Sequence, residues 1–340
     1  MILVGKDDFL QYESENMITI EQDDKPDSNW NGQLLDFKMG TIAQAKESAQ
    51  EILKNNQKPL FLKFLDSKGN IVGQLLASHY SLLDNRGIKG KFLKKILSAK
   101  KEMCEWSNGP IIFNHENDLD IYSALNNFLI NKNWKVNGVT DPIFSGDIGI
   151  LKKNFQVQQW STYLIDLSKS KEELYAGISK HSGRKNIERA INRGVEVEEI
   201  HDERTLIEYN NLRNEMRKKV GKKTRNIEQV QQRWNLFKPL GISGMIARKN
   251  NQTIGGLAFT YFNGQIIEGG VARSEIDFNE KLYSQDLIKW KIIEWGIKHK
   301  MKYYNLAGFN PNPASSKEIG IKRYKEKWGG ELCNYWIIKK

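Results

Sequence analysis

Apolar residues recur at two spacings along this chain, and its two halves use them in the same order. In the first half, Ile42 to Lys54 has the three-and-four spacing of an amphipathic helix. It is followed by the apolar run Pro59 to Leu65, a Ser67-Lys68-Gly69-Asn70 turn and a second run from Ile71 to Tyr80. That order predicts a helix and then a hairpin. Helical spacing returns over Phe92 to Trp106 and over Leu119 to Asn131. A short strand at Pro110 to Phe113 lies between them, and the segment Trp134 to Phe144 follows.

In the second half, helical stretches at about 171–193 and 203–219 precede three β-runs, Gly244 to Ala247, Thr253 to Phe262 and Gln265 to Val271. Asn263-Gly264 between the last two is a strong hairpin signal, because a type I′ turn needs positive φ at both central residues. A helix at about 282–299 and a strand at Tyr303 to Leu306 come next. The hairpins also correspond in sequence, Asn70-Ile71-Val72-Gly73-Gln74-Leu75 against Gln252-Thr253-Ile254-Gly255-Gly256-Leu257. The pattern predicts two copies of one mixed α+β unit, covering 1–153 and 154–330. The linker falls near 152–156, where Lys152-Lys153-Asn154 leads into the extended run Val157 to Leu167.

Composition narrows the class. At 340 residues the chain has room for about two domains of roughly 150 each. Hydrophobic content of 39%, charged content of 27% and seven prolines exclude collagenous, disordered and disulfide-dense proteins. No apolar run reaches the roughly 18 residues of a membrane span, and the start from Met1 to Gly5 is too short for a signal peptide, so a cytoplasmic location is expected. Cys104 and Cys333 stand in no metal-binding or redox spacing, and no metal is expected.

The net charge of +11 is unevenly spread. Residues 1–150 hold 17 Lys and Arg against 20 Asp and Glu, a net of −3; residues 151–340 hold 35 against 21, a net of +14. Such a half fits a polyanionic partner or a basic soluble surface.

Three stretches of that half carry candidate chemistry. In Lys180 to Gly194, helical spacing puts Lys185, Arg189 and Arg193 on one face with Arg184 beside them, a stripe that tracks phosphates or simply faces solvent. Arg213 to Arg225, with Arg217, Lys218, Lys219, Lys222 and Lys223, reads as a loop around Gly221 that either orders over phosphates or solubilises the surface. The third runs from Tyr303-Tyr304-Asn305-Leu306-Ala307-Gly308-Phe309-Asn310 through a Pro311 and Pro313 loop to Gly320-Ile321-Lys322-Arg323-Tyr324-Lys325-Glu326-Lys327-Trp328-Gly329-Gly330. Tyr324 and Trp328, four apart, share an inward face and fix Lys325 beside the sheet edge. Tyr283 and Tyr304 line a cleft or pack inside. No Ser/His/Asp or Cys/His arrangement presents itself, so no covalent intermediate is expected.

The succession Thr162-Tyr163-Leu164-Ile165-Asp166-Leu167, Glu172-Glu173-Leu174, Arg184, Ile187, Arg189-Ala190, Gly194-Val195, Leu306-Ala307-Gly308 and Tyr324-Lys325-Glu326-Lys327-Trp328-Gly329-Gly330 resembles the Fem family. These are the aminoacyl-tRNA-dependent peptidyltransferases that build peptidoglycan cross-bridges. In the first half the resemblance rests on Gly40-Thr41-Ile42-Ala43-Gln44, Gly69-Asn70-Ile71-Val72-Gly73 and Gly109-Pro110-Ile111-Ile112. It implies tandem GNAT-like (acetyltransferase-like) domains, with a last strand, about 331–340, returning to the first. It implies a catalytic lysine at Lys325, where the family's Phe-Lys-x-x-Phe-Gly motif falls. Arg184, Lys185, Arg189, Arg193, Tyr283, Tyr304 and Tyr324 stand as the candidates for substrate contacts. The resemblance further implies aminoacyl-tRNA as co-substrate with no cofactor, and as acceptor a muropeptide precursor, UDP-linked or lipid-linked, or another amine. Peripheral association with a membrane is compatible with this.

GNAT enzymes that use acyl-CoA carry a glycine-rich turn before their central helix to cradle the pyrophosphate. Here that place reads Asn279-Glu280-Lys281-Leu282-Tyr283-Ser284, with no glycine, which favours another donor. The chain departs from the family after Gln44, where Ser48, Glu51 and Lys54 stand instead of the aromatic residue and lysine, and at Phe113-Asn114-His115-Glu116 instead of an Asp-Pro. It also lacks the helical-hairpin insertion of some relatives. The alternatives are a GNAT acyltransferase using acyl-CoA on a non-peptidoglycan amine and a non-catalytic RNA-binding relative.

Overall fold

The Asn263-Gly264 turn forms as its dipeptide demands: both residues have positive φ, 50° and 78°, and Phe262 pairs with Gln265 across it. Around this and the earlier hairpin the chain folds into two units. The computed structural model describes residues 18–36, 40–82, 102–143 and 147–340. The helix expected over Phe92 to Trp106 falls mostly outside these residues, and its last five form a strand instead.

Two short helices, α1 (Trp30–Asp36) and α2 (Ser48–Lys54), separate β1 (Thr19–Asp23) from β2 (Lys58–Leu65) in sequence. The first unit comprises 1–29, 52–157 and 337–340, the second 30–51 and 158–336. Residues 30–51, which the sequence pattern leaves in the first domain, therefore group with the second. Trp30 and Leu34 are wholly buried, and Asn263 of the second unit donates its side-chain amide to Leu34 O at 3.1 Å.

In the first unit β1, β2, β3 (Ile71–Ser81) and β4 (Glu102–Trp106) pair antiparallel in that order, and the two-residue β5 (Ile111–Ile112) also pairs with β3. Helix α3 (Asp118–Lys132) then crosses over to β6 (Lys135–Val139), which lies parallel to β4. The chain's last strand supplies Ile337 to Lys339 antiparallel to β6.

The second unit follows the same plan. In chain order it contains β7 (Gln156–Asp166), α4 (Lys171–Gly177), α5 (Lys185–Asn192), β8 (Glu196–Glu199), α6 (Glu203–Lys219) and α7 (Ile227–Phe237). The hairpin strands β9 (Ile242–Lys249), β10 (Gln252–Phe262) and β11 (Gln265–Arg273) follow, then α8 (Glu275–Asn279), α9 (Ser284–Lys298), β12 (Tyr303–Asn305), α10 (Ser316–Glu326) and β13 (Glu331–Lys339), whose last residues from Ile337 on belong to the first unit. The sheet order is β13-β7-β12-β11-β10-β9-β8, with β11 and β12 parallel. The single helix expected at about 171–193 is broken. Gly177 ends α4, a π-helical turn spans Lys180–Arg184, and α5 begins at Lys185. Helices α4 and α10 each start at a serine capping box, Ser170 with Glu173 and Ser315 with Glu318.

Two adjacent glycines fix which helix covers which face. A Cβ on Gly255 would meet Ser284 Oγ of α9 at 2.4 Å, and one on Gly256 would meet the Tyr209 ring of α6 at 2.8 Å. Successive strand residues point to opposite faces, so α9 and α6 sandwich the sheet. Leu287, Ile288, Ile292 and Ile293 of α9 lie in one core cluster. Leu206, Tyr209 and Leu212 of α6 join Trp234 in another. Each fully buried aliphatic side chain contributes roughly 1.5–3 kcal/mol.

Candidate functional site

The parallel pair β11 and β12 holds for three residues only, Gln265 with Tyr303, Ile266 with Tyr304 and Ile267 with Asn305. Beyond them the strands part. The chain after β12 stays with β7: Leu306 N donates to Tyr163 O at 3.1 Å, and Ser161 and Phe309 exchange backbone bonds at 3.0 and 2.8 Å. Asn305 Oδ1 braces this turn, accepting from Ala307 N at 2.9 Å and from the Thr162 hydroxyl at 2.7 Å. Strand β11 stays with β10, and its register shifts between Phe259↔Glu268 and Leu257↔Val271, so Gly269 and Gly270 bulge opposite Ala258. The result is a fork in the sheet, opened by a bulge on one arm and a braced turn on the other.

Helix α10 delivers Lys325 to the braced arm. Lys325 is 9% exposed, and its ammonium donates to Leu306 O at 2.7 Å, Ala307 O at 2.8 Å and Gly308 O at 3.0 Å. Those three bonds use all three donors of the group. Burial lowers its pKa to about 8. Trp328 is buried, and the Tyr324 hydroxyl is buried without a hydrogen-bond partner.

On the other arm Glu268 is the first residue past the pairing, and its carboxylate accepts from Lys289 Nζ of α9 and from the Tyr304 hydroxyl, the latter at 2.7 Å. Lys289 and Tyr304 are wholly enclosed. Burial, with Lys325 and Lys327 nearby, drives the Lys289 amine well below its usual pKa, and burial raises both Tyr304 and Tyr324. Lys289 and Lys327 lie 5.5 and 4.1 Å from the Tyr324 ring centroid. Lys327 pairs with Asp286, whose other oxygen accepts from Asn186 Nδ2 at 3.3 Å. Desolvation raises Asp286 and lowers Lys327. Two more lysines and two carboxylates therefore share dry surroundings with Lys325.

The start of α9 is closed by the protein's own acids. Ser284 N donates to Asp277 Oδ1 at 2.9 Å, Arg273 pairs with the fully buried Asp277, and Asp286 stands in the first turn. An anion arriving there would face carboxylates, against the usual preference of a helix N-terminus.

With this geometry established, comparisons with known proteins are informative. No protein-family model and no curated protein sequence matches the chain. Solved structures do. FemX matches with a TM-score of 0.65 at 12% identity, covering 93% of this chain and 96% of its own. L-PGS from Bacillus licheniformis gives 0.56 at 12%, covering 93% of each. A tandem GNAT protein from the clavulanic acid biosynthesis pathway gives 0.50 at 11%, covering 95% and 97%. The fold is the Fem-like tandem GNAT fold. At these identities the likeness is one of architecture, and the repeat visible in the sequence is the repeat of its two GNAT units.

Within the second GNAT unit the candidate residues separate into groups. Lys325, Tyr304 and Tyr324 gather about Lys289. Arg189 and Arg193 of the predicted stripe stand over the Tyr283 ring, at 5.7 and 5.6 Å from its centroid, and Arg193 also caps the carbonyls of Glu280 and Lys281. Lys185 is exposed, while Arg184 is half-buried with its Nε unpartnered. Glu268, Lys289, Asp286 and Lys327 escaped the sequence reading, although Lys289 carried a signal. It shares a helical face with Gln285, Ile292 and Ile293, an apolar stripe where an unpaired lysine is rare. The mid-strand Gly269-Gly270 was likewise a readable sign of a bulge. Among the described residues no group of three or more His, Cys, Asp or Glu could hold a metal ion, and no helix is long and apolar enough to cross a membrane.

Proposed function

We propose that this chain is an aminoacyltransferase that moves an amino acid from aminoacyl-tRNA onto an amine of a peptidoglycan precursor or a related acceptor, with the fork of the second unit as its centre. The observation that carries the reading is the enclosed Lys325 ammonium, held at the parting of β11 and β12 by three backbone carbonyls. The fold shared with FemX and L-PGS and the Fem-like motifs around Lys325 support it.

In the reaction the neutral acceptor amine attacks the ester carbonyl. The C–N bond forms, negative charge develops on the carbonyl oxygen, the C–O bond to the ribose breaks, and the amine's proton ends on the departing hydroxyl. Lys325 stabilises the developing charge by exchanging its longest bond, to Gly308 O, for the oxyanion. The remaining two bonds hold it in position before charge appears, which is where such a donor is worth most. Tyr283 with Arg189 and Arg193, and Arg184 and Lys185 nearby in sequence, contact the anionic parts of the substrates. Aminoacyl-tRNA is a co-substrate and no cofactor takes part. The acid-closed start of α9 disfavours the pyrophosphate of acyl-CoA, and with it the alternative donor.

The test is to offer the purified protein a pool of labelled aminoacyl-tRNAs, or acetyl-CoA, with candidate precursors and read the acceptor's mass. Transfer is expected from aminoacyl-tRNA alone, and Lys325→Met should slow it roughly 100- to 1000-fold while the protein stays folded. Transfer from acetyl-CoA alone, or a variant within about tenfold of wild type, would refute the proposal.

A further inference from the structure

Helix α6 ends in the basic stretch visible in the sequence, and the fold sets that stretch against α8. Lys219 Nζ bonds Glu275 Oε1 of α8 at 2.6 Å, and Arg273 N at the end of β11 donates to Met216 Sδ at 2.9 Å. Val220 follows Lys219, and Phe278 lies three residues after Glu275, on the same face of α8. These two are the most exposed large hydrophobic side chains among the described residues, at 62% and 66%. Apolar residues scattered singly over a surface need no explanation, but two extremes joined by one ion pair do.

Their surroundings are basic and preformed. Gly221 turns the chain after Val220 with a φ of 67°, and a Cβ there would meet nothing within 4 Å, so the turn stands in open solvent. Arg217 Nε donates to Lys223 O at 2.6 Å, and Asn214 accepts from Arg225 N and donates to Arg225 O, both at 2.8 Å. The loop therefore has its shape before any partner arrives. Nearby carboxylates are already paired: Glu275 with Lys219, Asp277 with Arg273 and Glu280 with Lys249. Lys218, Lys222 and Lys223 are exposed and have no ion-pair partner among the described residues, and they outnumber Glu215, a turn back on α6. Arg273 lies 5.1 Å from the centroid of the Phe278 ring and supports it from beneath.

We infer that this corner of the second unit docks on an anionic lipid surface, with Val220 and Phe278 entering the interface and the lysines around them meeting the headgroups. Charge complementarity selects the occupant. An anionic bilayer face rewards both materials at once, cations through its surface potential and apolar side chains through insertion at the headgroup level. An RNA backbone would use the lysines but offers an exposed valine nothing to stack on. A second copy of this chain would set the basic rim against itself. Such docking goes beyond the proposed transfer reaction and can occur or fail without it.

Flotation of the full chain with lipid vesicles tests this. Vesicles of equimolar phosphatidylcholine and phosphatidylglycerol should carry the protein, and vesicles of phosphatidylcholine alone should not. Phe278→Ser and Val220→Ser should each weaken binding at least about fivefold, through lost apolar insertion. Lys222→Gln/Lys223→Gln should weaken it about tenfold or more, since each basic side chain near such a surface is worth roughly fivefold in affinity. Leu119→Ser, which removes an apolar side chain of the first unit that is 54% exposed, should stay within about twofold; thermal unfolding of each variant verifies folding. Flotation lost in the Phe278, Val220 and lysine variants but kept by Leu119→Ser upholds the docking surface. Absent flotation, flotation unchanged by Phe278→Ser and Val220→Ser, Phe278-dependent binding confined to a single-stranded RNA oligonucleotide, or Phe278-dependent dimers in place of vesicle binding would overturn it.

Discussion

The two units fold alike and fill the same place with opposite materials. In the first, β4 and β6 stay paired to the last residue of β4, Trp106 opposite Gly138, and the indole lies so close over Gly138 that a Cβ there would sit 2.0 Å from it. Trp106 Nε1 donates to Gly109 O at 2.9 Å, and the crossover helix α3 buries Ile121, Tyr122, Leu125 and Leu129 together with Asp118 and Asn126, but no lysine. In the second, the equivalent strands part after three pairs, and the crossover helix buries Lys289, Gln285 and Asp286. Duplication supplies a scaffold twice. Among the described residues only the second copy encloses a lysine–glutamate pair where these strands part, an arrangement that costs stability unless the pair is well matched.

Removing one partner from each filling gives the largest effects. Trp106→Ala should cost about 3–5 kcal/mol in denaturant unfolding, the usual result of deleting a buried indole, with the transfer rate per folded molecule unchanged. Glu268→Ala should cost about 3–5 kcal/mol as well, for a different reason: it strands Lys289 in an apolar enclosure. The double variant Glu268→Leu/Lys289→Met removes both charges and should recover most of that loss. If recovered stability came with full transfer activity, the buried pair would be structural only, and the contrast between the units would lose its functional meaning.

How much of this contrast could be read in advance differs by element. Hairpins with their own turn chemistry, such as Asn263-Gly264, and helices with clear apolar spacing, such as α3 and α9, were legible within a few residues. So was the inward face of Trp328, but not the enclosure of Lys325, which the spacing places only beside that face. Strand β4 was not, because Glu102 to Trp106 has too few residues to separate a strand period from a helical one. Helix α7 went unnoticed behind the basic loop, and β8 alternates charged residues with little apolar signal. The partners of Lys325 were hidden for a further reason. Backbone carbonyls carry no side-chain code, and Leu306, Ala307 and Gly308 become acceptors only because β12 leaves β11 there. Likewise nothing local links Glu268 to Lys289 until β11 and β12 part and α9 packs beside them.

A smaller effect follows from titration. The Lys325 amine has a pKa of about 8 in the fold against about 10.5 in the unfolded chain, so between these values the unfolded state binds more protons. Its contribution to stability therefore rises with pH across about 8 to 10.5, by on the order of 3 kcal/mol, as the cost of burying an ammonium disappears. Lys325→Met should remove that part of the slope in pH-resolved unfolding. Activity should move the other way, falling above about pH 8 as the ammonium loses its proton. A wild-type rate still rising through pH 9 would rule out the charged form as the working one.

The smallest expected effect bears on the surface that leads to the fork. Arg193 is occupied by the carbonyls of Glu280 and Lys281, whereas among the described residues Arg189 makes a 3.3 Å bond to Asn186 and a cation–π contact with Tyr283, which leaves its charge, like that of exposed Lys185, to meet a phosphate. Losing one phosphate contact lowers the slope of log affinity against log salt by roughly 0.7–0.9. Arg189→Ala should therefore flatten the tRNA-binding slope by about that amount and weaken binding moderately near physiological salt. A parallel shift, with lower affinity and an unchanged slope, would instead trace the loss to the disturbed Tyr283 ring. An unchanged slope and affinity would make the stripe part of the solvated surface and leave the fork to carry the difference between the two units.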